Sequence, residues 1–151
     1  MNKENNTVTL IEASEGPRWN ALSSTWCLKL CGHDTGGAFA LLEQTLEPGA
    51  GTPEHIHTEE DETLYILEGE ADLWQSSQEH RVCAGTTIHL PRGTAHGLMA
   101  AGSRPCRILH ILTPAGLENY FREANRQSAE MRGDWNEVVA LSAEYGIRFL
   151  P

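Results

Sequence analysis

Apolar and polar residues alternate through most of the first 113 residues, in short runs that end near glycine or proline. The runs are TVTLIEA, STWCLKL, GAFALLEQTL, ETLYILEGEADLW, HRVCAGTTIHLP and CRILHILTP. Alternation with a period of two residues is typical of strands that bury one face. Gly69 interrupts the fourth run and predicts a break between two strands. Short strands at this spacing predict an all-β fold, either a sandwich or a barrel.

The residues after position 113 follow a helical pattern instead. Apolar residues recur on one helical face: Leu117, Tyr120, Phe121 and Ala124. Thr113 and Pro114 precede them, and such a pair suits an N-cap followed by the first helical turn. The sequence therefore predicts a first helix that begins near Thr113.

A second helix is predicted from Asp134 and Glu137, which have the spacing of a capping box. Gly146 is the expected terminator of this helix. Its apolar positions lie along one face: Val138, Leu141 and Tyr145. We expect both helices to cover the outside of the β-structure rather than to build a functional site.

The length of 151 residues suits one domain. We expect a single domain over residues 1–151, with a barrel over about 7–113 and a helical segment over about 114–151. A chain of this size buries enough apolar surface to fold without disulfides.

The charge of the chain restricts its partners. Eleven Lys and Arg residues against 21 Asp and Glu residues give a net charge of −10, which repels nucleic acid and anionic membranes. The first residues, MNKENNTV, are polar, and no later run approaches the roughly 18 apolar residues of a membrane span. We therefore expect a cytoplasmic protein that binds neither nucleic acid nor membranes.

The four cysteines do not indicate a disulfide or a zinc site. Cys27 and Cys31 fall in one predicted strand, where their Cα atoms would be about 13 Å apart, beyond disulfide reach. Cys83 and Cys106 are distant in sequence, and no CxxC motif occurs. We expect all four to behave as small apolar residues.

The stretch GAGTPEHIHTEEDETLYILEG, residues 49–69, places polar residues directly beside a strand that must be buried. His55 and His57 are two residues apart, so on a strand they project from the same face. Glu62 begins the next apolar run, and Leu64 and Ile66 share its face. A carboxylate that points inward needs a partner, and a bound cation is a common one. We interpret the three acids before it, Glu59, Glu60 and Asp61, as a solvated loop.

A fourth contributor is His96, which follows a strand and a Pro-Arg-Gly turn. Gly49, His55-x-His57, Glu62 and Gly69 are separated by five, four and six residues, and this run resembles the first motif of the cupin superfamily. A later stretch resembles the second motif: Gly85, five residues, Pro91-x-Gly93, two residues and His96. Both motifs occur in the expected order and at a short separation.

The resemblance implies a double-stranded β-helix, the cupin jelly-roll barrel, with two C-terminal helices outside it. It also implies that one divalent metal is bound by His55, His57, Glu62 and His96, and that the protein is a homodimer. Ala100 occupies a position where the family often has Asn, but that Asn is not a ligand. More loosely, DTGGAFALLE and LTPAGLENYFREA resemble single-domain cupins grouped with bacterial quercetin dioxygenases.

Three imidazoles and one carboxylate suit Fe, Mn, Ni, Co, Cu or Zn, and ligand chemistry alone does not choose among them. His33, His80, His89 and His110 match no ligand position. His89 and His110 fall in apolar strands, and two interpretations remain open for them. They are either hydrogen-bonded core residues or groups that contact the metal ligands.

The leading functional hypothesis is a metal-dependent dioxygenase that acts on an aromatic or enolic hydroxy compound, with Glu62 as the catalytic base. The expected substrate-binding walls include Phe39, Leu64 and Ile66. One alternative is a non-redox isomerase, cyclase or lyase that uses the metal as a Lewis acid. The other is a protein that binds or senses a small molecule without turnover.

Overall fold

The computed structural model describes residues 7–131 and 134–151. The strands within these residues are β1 Arg18–Ala21, β2 Ser24–Leu30, β3 Ala40–Leu46, β4 Gly51–His57, β5 Asp61–Glu68, β6 Glu70–Gln75, β7 Gln78–Cys83, β8 Thr87–Leu90, β9 His96–Ala101, β10 Cys106–Thr113 and β11 Ile147–Phe149. The helices are α1 Glu118–Met131 and α2 Trp135–Glu144.

The strands form two antiparallel sheets. The larger sheet has the order β1-β2-β3-β10-β5-β8, and the smaller has the order β11-β4-β9-β6-β7. Strands distant in sequence are neighbours, since β10 lies between β3 and β5 and pairs with both. The predicted all-β jelly-roll barrel with two C-terminal helices is confirmed.

The alternation seen in the sequence becomes burial on one face of each strand. In β3 every second residue is buried, from Ala40 to Leu46, and β10 repeats this pattern. The buried side chains form two apolar clusters. One includes Ile66 and Ile108, and the other includes Leu42 together with residues of the helices.

The strand prediction for residues 7–13 is wrong. Val8 and Leu10 are 85% and 79% exposed, and this segment belongs to neither sheet. The ammonium group of Lys29 donates hydrogen bonds to the backbone carbonyls of Glu12 and Ala13, which holds the segment in a turn before β1. Alternation alone does not make a strand, because a strand also needs a neighbour for its backbone.

The first helix begins later than predicted, at Glu118 rather than near Thr113 and Pro114. The Glu118 carboxylate is buried and accepts hydrogen bonds from the backbone N–H groups of Gly116 and Gly32, at 2.6 and 2.8 Å. Donors at the start of this helix and in the β2–β3 connection thus converge on one side chain, which fixes α1 against the barrel.

The second helix begins as predicted. The Asp134 side chain accepts a hydrogen bond from the backbone N–H of Asn136 at 2.9 Å. Gly146, with a φ of 75°, follows the helix and redirects the chain into β11, a strand that the sequence did not predict. Neither α1 nor α2 is long and apolar enough to cross a membrane. All four cysteines are free thiols, as expected.

Candidate metal centre

The four predicted ligands converge inside the barrel. His55 and His57 are on β4, and His96 begins the neighbouring strand β9, where it pairs directly with His55. Glu62 is on β5 in the facing sheet. All four are buried, and their ligand atoms lie within 4.8 Å of one another. Together they form a candidate site for one metal ion.

The Nε2 atoms of the three histidines face the carboxylate. Glu62 Oε2 is 3.3 Å from His57 Nε2 and 3.3 Å from His96 Nε2, and His55 Nε2 is 3.1 Å from His57 Nε2. The Nδ1 atoms of His55 and His96 point away from this centre, toward backbone carbonyls. A proton on Nδ1 leaves the Nε2 lone pair free, which is the tautomer that metal binding through Nε2 requires.

The electrostatic environment of the site favours the protonation states in which these side chains bind a cation. Burial, followed by the nearby charges of His96 and His57, lowers the pKa of His55 to about 3, so its ring is neutral at pH 7. Burial disfavours the charged form of Glu62, but the His57 charge and hydrogen bonds from three histidines hold its pKa well below the usual value. A neutral imidazole and an ionised carboxylate are forms that bind divalent metals.

Burial also works to lower the pKa of His57, but the charges of Glu62 and Glu60 and the Glu62 hydrogen bond outweigh it, so this pKa is raised. His57 therefore lies near two carboxylates, with Glu62 at 3.3 Å from its Nε2 and Glu60 at 4.0 Å from its Nδ1. A bound cation would compete with the proton for the same Nε2 lone pair.

His110 connects the site to a chain of hydrogen bonds. Its Nδ1 is 2.7 Å from Glu62 Oε1, and its Nε2 is 2.9 Å from Gln44 Oε1. The Gln44 amide nitrogen donates to Ser24 Oγ at 2.9 Å, and Ser24 donates to the Leu22 carbonyl at 3.2 Å. Since the Ser24 hydrogen is directed at Leu22, Gln44 must be the donor to Ser24 and must present its oxygen to His110. The Gln44 oxygen is therefore available to accept a hydrogen bond from His110 Nε2.

His89 and His110, for which the sequence left two interpretations open, differ in burial and in their contacts. His110 is buried and contacts the proposed ligand Glu62 directly. His89 is exposed, and its Nδ1 is 2.9 Å from Thr63 Oγ1. Only His110 is therefore a neighbour of the site.

The four candidate ligands form one wall of a small cavity. The remaining lining residues are mostly apolar: Leu22, Trp26, Gln44, Thr52, Leu64, Leu98, His110, Phe121 and Ile147. The rings of Trp26 and Phe121 are 4.0 Å apart between centroids and inclined by 32°. Such a cavity suits a small, largely apolar compound.

Of the three predicted wall residues, Leu64 lines this cavity. Ile66 is fully buried in an apolar cluster, and Phe39 is half-buried just before β3, so both lie outside the cavity lining. The sequence did not single out Trp26 or assign a site role to Phe121. Helix α1 covers the barrel, as expected, but Phe121 also brings it to the cavity.

The interpretation of Glu60 as part of a solvated loop is wrong, because this residue is only 7% exposed. The C-terminal segment covers the β4–β5 connection, where the backbone N–H of Thr58 donates to the Gly146 carbonyl at 2.9 Å. A Cβ at Gly146 would come within 2.6 Å of Thr58 Oγ1, so the two segments are in close contact. Glu59 remains exposed, and the Asp61 carboxylate binds Arg92 at 3.1 Å.

Two curated proteins resemble part of this chain. The HTH-type transcriptional regulator PuuR of Escherichia coli (strain K12) is 31% identical over 75 residues, which are 50% of this chain and 40% of PuuR. The tetracenomycin polyketide synthase protein TcmJ of Streptomyces glaucescens is 29% identical over 80 residues, or 53% of this chain and 52% of TcmJ. The matches thus span about half of each relative or less.

The fold is shared with many solved structures. A predicted oxalate decarboxylase from Thermotoga maritima has a TM-score of 0.65 at 19% identity, over 70% of this chain and 99% of that chain. Other proteins with this fold are named as a polyketide cyclase, sugar phosphate isomerases and a nucleoside dehydratase. Proteins of one fold therefore have several different activities.

Residues 42–112 match the family described as Cupin domain. This range contains the four converging side chains and all of β4 to β9. The match supports the cupin superfamily for this range, which is just under half of the chain, and the solved structures share its fold.

Proposed function

We propose that this chain is a metal-dependent dioxygenase that acts on a small aromatic or enolic hydroxy compound. The main support is the composition of the cavity, where four convergent ligand atoms face walls that are largely apolar. The described residues that line it include no lysine or arginine. A phosphorylated substrate would therefore find no cationic side chain there, whereas Trp26 and Phe121 offer apolar ring surface to an aromatic compound.

One divalent ion, of Fe, Mn, Ni, Co, Cu or Zn, would be held by His55, His57, Glu62 and His96. When bound, it would polarise a substrate hydroxyl and lower the pKa of that hydroxyl.

In this proposal, Glu62 is the base that accepts the hydroxyl proton. Its Oε1 is engaged by His110, and its Oε2 faces the histidine Nε2 atoms at the cavity wall. The ionised carboxylate takes the proton from a hydroxyl brought to this wall, and the apolar surroundings exclude bulk water from the transfer. The deprotonated compound is electron-rich enough to react with O2.

A second candidate is a non-redox isomerase, cyclase or lyase. The specific observation in its favour is the pairing of Glu62 with His110, which places two groups that exchange protons side by side at 2.7 Å. A base and an acid in contact are sufficient to move a proton within one substrate, with no need for an oxidant.

The test is turnover of a panel of phenolic and enolic compounds, with products measured by mass spectrometry in air and under strict anaerobiosis. The dioxygenase predicts products that contain oxygen from ¹⁸O2 and no conversion without O2. Undiminished anaerobic conversion would contradict it and favour the non-redox enzyme. Saturable binding with no product under either atmosphere would favour a sensing protein, a role for which the match to a regulator is the main support.

Glu62→Gln tests the role of Glu62 as a base separately from its role as a metal ligand. The amide keeps one oxygen for the metal but does not accept a proton, so turnover should fall by about 10² to 10⁴-fold. Metal content should remain close to that of the wild type. Wild-type rates in this variant would exclude Glu62 as the base.

A further inference from the structure

Each proposed ligand histidine binds a metal through Nε2 only if its remaining proton is on Nδ1. In two of the three, a backbone carbonyl accepts that proton. The Pro53 oxygen is 2.7 Å from His55 Nδ1, and the Thr94 oxygen is 3.0 Å from His96 Nδ1. Backbone acceptors of this kind fix the ring and the tautomer before any metal arrives.

His57 is the exception. Its Nδ1 is buried and has no hydrogen-bond partner among the residues that the structure describes. A buried donor without an acceptor destabilises the folded protein, so an acceptor is expected nearby.

Glu60 has the complementary unpartnered atom. Its side chain is 8% exposed, and its Oε2 is buried without a hydrogen-bond partner in the same described residues. This oxygen lies 4.0 Å from His57 Nδ1. Both atoms are buried and unpaired, and they face each other on the side of the ring away from the metal ligands. Once a metal takes Nε2, Nδ1 must carry the ring proton and becomes a donor to this oxygen.

We infer that Glu60 is a positioning residue for His57, whose carboxylate accepts the Nδ1 proton when Nε2 binds a metal ion. This inference rests on the proposed metal site. Closing the gap to a charge-assisted hydrogen bond of about 2.8 Å needs a movement of roughly 1 Å, which the side chain of a glutamate allows without a change in the backbone. A carboxylate on Nδ1 also makes Nε2 a stronger donor to the metal.

The surroundings of Glu60 hold it near His57. The guanidinium of the neighbouring Arg92 binds Asp61 instead. The C-terminal segment at Gly146 lies against Thr58 and Glu59 of the β4–β5 connection, next to Glu60. Two ligand histidines thus use main-chain acceptors and the third uses a side chain, which makes the third acceptor accessible to mutation.

The experiment uses the full chain, stripped of metal with a chelator and titrated with Zn²⁺ in competition with a chromophoric chelator. Glu60→Ala and Glu60→Met both remove the acceptor, and Met keeps most of the side-chain volume. Each should weaken Zn²⁺ binding by about 10 to 100-fold. Glu60→Gln keeps an oxygen that accepts the Nδ1 proton and should recover part of the affinity. The adjacent, exposed Glu59→Ala is the matched control and should bind Zn²⁺ as the wild type does.

The outcomes separate this inference from the metal site. If Glu60→Met binds Zn²⁺ as tightly as Glu59→Ala does, the inference is overturned and the site stands. If Glu60→Gln binds as weakly as Glu60→Met, Glu60 does not act as a hydrogen-bond acceptor and the inference is again overturned. A wild type that does not bind Zn²⁺ overturns the proposed site, and the inference with it.

Discussion

The Nδ1 atom of His110 lies 2.7 Å from Oε1 of Glu62, so one oxygen of the proposed base is engaged on the side away from the ligand histidines. The two residues are on neighbouring strands, where Glu62 pairs with Leu112, two positions from His110. Their side chains therefore point to the same interior face. Because His110 is held by Gln44, the orientation of Glu62 depends on a residue that binds no metal.

Gln44→Leu should therefore disturb the site without removing a ligand. It takes the acceptor away from His110 Nε2, and a buried donor left unpaired should cost about 1–3 kcal/mol of unfolding free energy. Turnover should fall as well, because His110 and Glu62 lose their fixed orientation. Urea denaturation and steady-state kinetics measure the two effects.

Two variants control for that result. Gln44→Glu keeps an acceptor toward His110 and should restore part of the turnover, whereas Gln75→Leu, on an exposed position of β6, should change neither quantity. Wild-type stability and turnover in Gln44→Leu would show that the hydrogen bond between Gln44 and His110 has no role.

The pKa of His55 predicts how the metal-free protein responds to acid. Burial and neighbouring charges place this pKa at about 3 in the folded protein, below the ordinary value of 6.5. Between these values the unfolded chain binds a proton that the folded chain does not, so this contribution to stability is complete above pH 6.5 and is lost as the pH falls toward 3. The slope from this one group is at most about 1.4 kcal/mol per pH unit.

His55→Gln isolates this effect, since the variant has no group that titrates at position 55. Unfolding free energies measured in chelator between pH 4 and 8 should show the wild type losing stability relative to the variant as the pH falls below 6.5. Parallel curves for the two proteins would contradict the lowered pKa.

We also propose that the protein is a homodimer. Val8 and Leu10 are 85% and 79% exposed. Neighbouring exposed apolar side chains form a surface that a second copy of the chain would cover. Light scattering should give twice the chain mass of 16.7 kDa, and Val8→Ser with Leu10→Ser should shift the mass toward the monomer. A wild type that scatters as a monomer at working concentration would exclude this proposal.

Most of the candidate ligands could be predicted because the alternation of side chains along a strand determines which way they point. His55 and His57 share a face by the alternation of a strand, and the strand that Glu62 begins was already visible as an apolar run. The pairing of His55 with His96 was not visible in the alternation, and His96 entered the set through the turn that precedes it and the motif resemblance.

The residues that were missed depend on contacts between distant parts of the chain. Glu60 looked like a solvated acid because the segment at Gly146 that covers it lies 86 residues later in the sequence. Phe121 reaches the cavity only because α1 packs on the barrel. Conversely, residues 7–13 alternate like a strand and yet have no place in either sheet.

Metal analysis of the purified protein shows whether His55, His57, Glu62 and His96 hold one divalent metal. We expect about one equivalent of a transition metal in the wild type, because a preformed site of four ligands binds tightly at neutral pH. We expect almost none in His57→Ala, with an unchanged far-ultraviolet spectrum. Full metal content in His57→Ala, or a wild type that binds no divalent metal, would contradict it.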